Sequence, residues 1–81
     1  MGITLKQLAA FKAIVEQGNF HKAAEHLRVT QPTLSATIKS LENELDISLL
    51  QRTTRTITLT LSGRELYSHL SPIFEKLQKA V

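Results

Sequence analysis

Residues 18–35 constrain this chain more than any other stretch. They read Gly-Asn-Phe-His-Lys-Ala-Ala-Glu-His-Leu-Arg-Val-Thr-Gln-Pro-Thr-Leu-Ser. Asn19 is suited to cap a short helix over residues 20–27, and Thr30 a longer one over residues 31–45. Pro32 falls in the first turn of the longer helix, where its missing N–H costs nothing. Only Arg28 and Val29 remain for the connection, which is therefore a tight turn with Val29 filling the corner. Ala23, Ala24 and Leu27 face inward, and the adjacent alanines let another helix approach closely. Two helices crossing at small residues over a tight turn make a helix-turn-helix.

The flanking segments complete a small, mainly helical domain. A first helix is predicted over residues 5–17, opened by a Thr4/Gln7 capping box and ended at Gly18. Its buried stripe is read as Leu8, Phe11, Ile14 and Val15, and that of residues 31–45 as Leu34, Ile38, Leu41 and Leu45. Around residues 50–60 the period changes. Ile57 and Leu59 alternate with Thr56, Thr58 and Thr60, which predicts a two-stranded wing with its tip near Thr54 and Arg55. A last helix starts near residues 60–62, with Ser62 and Glu65 as a second capping box. Leu66, Leu70, Ile73 and Leu77 form a seam of coiled-coil spacing, flanked by Tyr67 and Phe74. Pro72 lies inside that helix and predicts a kink or a local break.

Composition removes several classes of function. With 81 residues the chain makes one small domain with a thin core. It has no cysteine, so it carries neither disulfides nor thiolate chemistry. His21, His26 and His69 lack the spacing of a metal site, and no glycine-rich phosphate loop or ordered catalytic triad is present. No enzyme activity and no cofactor are expected. No apolar run approaches a membrane span, and the N-terminal pattern fits neither a signal peptide nor a myristoylation site. The net charge of +3 permits nucleic-acid binding without demanding it.

The chemistry therefore rests on the helix over residues 31–45. Gln31, Thr33, Ala36, Thr37 and Ser40 fall on or near the face opposite its apolar stripe, with no acid and no large apolar group. Short polar side chains let a helix backbone come close to base edges in a major groove. Gln31 can form a bidentate pair with adenine, and Thr33 and Thr37 can hydrogen-bond or meet a thymine methyl. Ser35 and the helix N-terminus can take a phosphate. Thr30, Pro32 and Lys39 complete this candidate surface, and Arg28, Arg52, Thr54, Arg55 and Arg64 are candidate backbone or minor-groove contacts. For an isolated helix the plainer reading is a solvated polar face. The Ala-Ala helix and turn before it favour the DNA reading. Leu66, Tyr67, Leu70, Ile73, Phe74 and Leu77 are the candidate dimerisation residues, against a reading in which they only cover their own domain.

These residues resemble the N-terminal DNA-binding domain of LysR-type transcriptional regulators. The resemblance is carried by Phe11, Val15, Gly18, Phe20, Ala23-Ala24, Leu27, Val29-Thr30-Gln31-Pro32, Ser35, Ile38, Leu41-Glu42, Leu45 and Leu49. It continues through Arg52, Thr54, Arg55, Leu59-Thr60 and Gly63, in order and at family spacing. It implies a winged helix-turn-helix followed by a long linker helix that dimerises on interrupted palindromic promoter sites. In that arrangement Gln31, Pro32, Thr33 and Ser35 lie at the DNA and the Arg52–Arg55 wing approaches the minor groove. Asp46 departs from a usual glycine, which predicts a different cap, and Leu50 replaces a common Phe. Ala36 and Thr37 stand where longer or basic residues are frequent, so more weight falls on the wing.

The expected organisation is a winged helix-turn-helix over residues 1–60 and a linker helix over residues 61–81. The small-molecule inducer domain usual in the family is expected to be absent from this sequence. The expected partners are double-stranded promoter DNA and a second copy of the chain, with a tetramer open to a full-length parent, in the cytoplasm and not at a membrane. The alternative is a winged-helix protein-interaction module that does not bind DNA.

Overall fold

The computed structural model describes residues 2–52 and 57–80, Arg52 by its backbone only. The elements run α1 (Leu5–Gln17), α2 (Phe20–Leu27), α3 (Gln31–Leu45), β1 (Leu50–Arg52), β2 (Ile57–Leu59) and α4 (Leu61–Ala80). The expected wing tip at Thr54 and Arg55 lies outside the described residues.

Each of the first three helices starts where a side chain satisfies an orphan N–H. Thr4 Oγ1 accepts from the Gln7 N–H at 3.1 Å, and the Thr4 N–H donates to Gln7 Oε1 at 2.9 Å. Asn19 Oδ1 accepts from the Lys22 N–H at 2.7 Å, and Thr30 Oγ1 from the Thr33 N–H at 3.2 Å. Gly18 closes α1 in the left-handed region at φ 85°, where glycine meets no steric penalty.

The core is built from Phe11, Ile14, Leu34, Ile38, Leu41 and Leu49, all fully buried. Ala23 and Ala24 are buried with them where α2 packs on its neighbours. The apolar stripe of α1 is wider than its large residues suggest. Ala10, Ala13 and Gln7 are buried, while Leu8 and Val15 are half-buried flanks. α1 packs on α2, α3 and α4, so its short side chains are covered from several sides. Gln7 is tolerated there because its Oε1 is taken by Thr4 and its Nε2 donates to Ser40 Oγ at 3.1 Å.

Asp46 does not change the cap of α3. It adopts the left-handed conformation itself, at φ 55°, and its N–H reaches back to Asn43 and Glu42 carbonyls. An aspartate visits this region more readily than most L-residues, so the geometry glycine favours is kept. Glu42 then ties α3 to the wing. One carboxylate oxygen accepts from the Leu49 N–H at 2.7 Å and the Leu50 N–H at 3.3 Å. The wing strands are antiparallel in the register Leu50↔Leu59, Gln51↔Thr58 and Arg52↔Ile57.

One expectation for α4 is corrected. Its cap is Thr60, not Ser62. Thr60 Oγ1 accepts from the Gly63 N–H at 3.0 Å, and its hydroxyl donates to the Ser48 carbonyl. The Thr60 N–H also donates to the Leu49 carbonyl at 3.1 Å, so this residue joins helix start and wing base. α4 runs from Leu61 to Ala80 with Pro72 inside it, and the expected break in its hydrogen bonds is local. The proline removes the N–H that would serve the Ser68 carbonyl, but Pro72 and Ser68 are both exposed, so water can take that place.

Candidate nucleic-acid interface

The first turn of α3 is held rigidly and left uncovered. Thr30, Gln31, Pro32 and Thr33 are exposed, while Leu34 on the opposite side is 1% exposed. The Thr30 hydroxyl also donates to Thr33 Oγ1 at 2.8 Å, which locks both threonine rotamers at the helix start. Thr37 is half-buried and its hydroxyl donates to the Thr33 carbonyl at 2.9 Å. That spends its proton, leaving an acceptor and a methyl to face a ligand. Ser35 is half-buried. Lys39 is exposed further along and shares an open groove with Pro32, Ser35, Ala36, Ser40 and Asn43.

Two residues of this region escaped the sequence reading. Asn43 extends the groove by one turn beyond Lys39, and its 3.6-residue periodicity with Lys39 and Ala36 was the available signal. His21, on α2, meets Gln31 across the turn, with Gln31 Nε2 3.2 Å from His21 Nδ1. Nothing in the spacing of residues 21 and 31 announces that contact, because it depends on the helix crossing.

Of the candidate arginines, Arg28 and Arg64 are described with their side chains. Arg28 is the C-cap of α2, exposed and in the left-handed region at φ 60°. Arg64 is exposed beside β2 and the end of α1, in a groove with Ile14, Val15, Gly18 and Leu59. Arg52 contributes only backbone to the description, and Thr54 and Arg55 lie outside the described residues. The acids at the far end of α3 have structural roles: Glu42 holds the wing base, and Glu44 accepts from the Gly2 N–H at 3.1 Å.

The seam of α4 is divided. Leu70 is 4% exposed and belongs to the core of its own domain. Leu66, Tyr67 and Phe74 are half-buried against that core. Ile73 and Leu77 remain exposed. Tyr67 and Phe74 face α1: the Tyr67 hydroxyl donates to Glu16 Oε2 at 3.0 Å, and Lys12 Nζ lies 5.6 Å from the centre of the Phe74 ring. Lys12 also pairs with Glu16 Oε1 at 2.9 Å. The Lys12 hydrogen bond, more than Tyr67, holds the Glu16 carboxyl below its ordinary range. Burial, then Glu16, pushes the Tyr67 phenol up.

Among the described residues no group of three histidines or acids could hold a metal ion, and no helix is long and apolar enough to cross a membrane.

Residues 5–64 match the family profile described as bacterial regulatory helix-turn-helix protein, lysR family. The nitrogen assimilation regulatory protein nac of Klebsiella aerogenes is 40% identical over 78 residues, which is 96% of this chain and 26% of that protein. The chain thus spans about a quarter of the length of the curated relatives it matches. The solved complex of the BenM DBD with catB site 1 DNA superposes with a TM-score of 0.91 at 36% identity, covering 96% of this chain and 88% of that one. The CbnR DBD–DNA complex gives 0.87 at 33% identity, covering 96% and 90%. The relatives are transcriptional regulators, not enzymes. With the tight turn, the buried alanine pair and the wing in place, these matches establish that the chain belongs to the lysR family of bacterial regulatory helix-turn-helix proteins.

Proposed function

We propose that this chain binds double-stranded promoter DNA sequence-specifically, with the N-terminal half of α3 in the major groove and the wing at the minor groove. The observation that carries this reading is the first turn of α3, exposed, free of acids and fixed by the Thr30–Thr33 hydrogen bonds. The likeness to DNA complexes of two related domains supports it. Gln31 and Thr33 read base edges, with Thr37 beside them. Thr30, Pro32, Ser35 and Lys39 set the approach of the helix, and Arg28, Arg52, Thr54, Arg55 and Arg64 hold phosphates or the minor groove.

In this reading residues 1–60 are the DNA-binding unit and residues 61–81 the linker helix of a homodimer. The exposed Ile73 and Leu77 supply its pairing surface. Two copies place their α3 helices in major grooves about one helical turn apart. Selection from a randomised duplex library at near-physiological salt tests the proposal. An interrupted palindrome in the bound fraction is the expected result. Bulk, salt-sensitive binding without enrichment contradicts it, as does binding to a protein partner with none to DNA.

A further inference from the structure

We propose that His21 is a positioning residue for Gln31 and makes the base preference of α3 depend on pH. The inference rests on the DNA-binding reading above. Gln31 is the first residue of α3 and His21 lies in the first turn of α2, and the helix crossing brings Gln31 Nε2 to 3.2 Å from His21 Nδ1. Among the described residues the charged group paired with the ring is Glu25, one turn along α2, with its Oε1 3.6 Å from His21 Nε2. From α3 the ring meets the uncharged Gln31.

The neutral ring has one donor and one acceptor. Glu25 favours the proton on Nε2, which leaves the Nδ1 lone pair to accept from the Gln31 amide. Gln31 then turns its carbonyl oxygen and its second N–H outward. That is the donor–acceptor pair that matches N6 and N7 of adenine. When the ring gains a proton, Nδ1–H becomes a donor and can no longer accept from the amide. Gln31 must rotate its carbonyl oxygen toward the ring, and only its NH2 group faces outward. A donor-only face matches O6 and N7 of guanine instead. The site thus couples the donor or acceptor role of His21 Nδ1 to the hydrogen-bond pattern presented by α3.

Library selection at about pH 8 and about pH 5.5 tests this, with the chain, His21→Ala, His21→Asn and Gln31→Ala run side by side. The side chain of His21 is 67% exposed, so these substitutions leave the core intact. For the unaltered chain, one position of the half-site should shift from adenine toward guanine as pH falls, by roughly tenfold in relative enrichment. His21→Ala should relax that position at both pH values. Asparagine places an oxygen acceptor near the former Nδ1 and cannot titrate, so His21→Asn should keep the adenine preference at both. Gln31→Ala should erase the preference altogether. If His21→Ala enriches the same half-site with the same pH shift, the His21 proposal falls while DNA binding stands. If the unaltered chain enriches nothing at either pH, the DNA reading itself falls, and this inference with it. The Gln31 side-chain amide resonances give a readout free of DNA. They should move with pH in the unaltered chain and stay still in His21→Ala. Resonances that titrate identically in both overturn the coupling.

Discussion

Leu70 and Ile73 belong to one apolar seam of α4, less than a turn apart, yet Leu70 is 4% exposed and Ile73 is 50% exposed. Up to Leu70 the helix is fastened to the domain. Thr60 caps it, Gly63 presses on the chain before the wing, and Tyr67 reaches Glu16 on α1. Beyond Phe74 the helix leaves the domain, and its last residues are exposed. A seam of coiled-coil spacing thus divides: its first half completes a fold, and its second half is left uncovered. Periodicity marks an apolar face and is blind to what covers it.

The strongest way to break that contrast is a charge at Leu70. Leu70→Asp would bury an unpaired carboxylate in a thin core and should cost about 4 kcal/mol or more, enough to unfold much of the population. Denaturant melts followed by circular dichroism would register it. A folded Leu70→Asp chain that had merely become monomeric would mean that Leu70 serves pairing and not the core. Gly63→Ala comes next. An added methyl would clash with the Leu49 carbonyl oxygen, so α4 must move away from the wing base. We expect a loss of about 2–3 kcal/mol in the same melts. A neutral result would mean that the approach of α4 to the wing base is not a tight one.

The parts of the fold that sequence reveals are those fixed within a few residues. Thr4, Asn19 and Thr30 each announce a helix start because the cap bonds a group three positions on. The alternation at Ile57 and Leu59 announces β2 for the same local reason. What stayed hidden depends on distant partners. Ser62 and Glu65 imitate a capping box as well as Thr60 does, and the choice is made by the Ser48 and Leu49 carbonyls that Thr60 also satisfies. Gln7 looks like a surface residue until Ser40 comes to meet it. At the candidate site, the polar face of α3 was legible from its spacing, whereas the His21–Gln31 contact needs the crossing of two helices.

The bond between α4 and α1 gives a smaller, pH-dependent test. The depressed Glu16 carboxyl adds stability that is complete above its ordinary value of 4.5 and fades as pH falls through the lower folded value. The raised Tyr67 phenol acts at the other end. Its contribution is complete below the ordinary value of 10.0 and is lost as pH rises through the folded one. Tyr67→Phe should therefore cost no more than about 1 kcal/mol at neutral pH. It should remove the alkaline loss while keeping most of the acid loss, because Lys12 is the larger partner of Glu16. Thermal melts across pH would separate the two limbs. An unchanged alkaline limb in Tyr67→Phe would assign it to another group.

The smallest effect on folding is expected at Ile73, and it is the sharpest test of the free half of the seam. The residue is half-exposed although its neighbour Phe74 still packs on the core, so Ile73→Asp should change monomer stability by no more than about 0.5 kcal/mol. Its effect on association should be of another order. In a paired helix the aspartate would face a second copy of itself or of Leu77, and a carboxylate has no partner in an apolar seam. Sedimentation of the unaltered chain and of Ile73→Asp over the same concentration range compares the two directly. A dimer that becomes a folded monomer would divide α4 at residue 73 into an anchored and a pairing half. A dimer that survives the substitution would move the pairing surface away from Ile73, and the exposed end of α4 would then need another reason for its apolar residues.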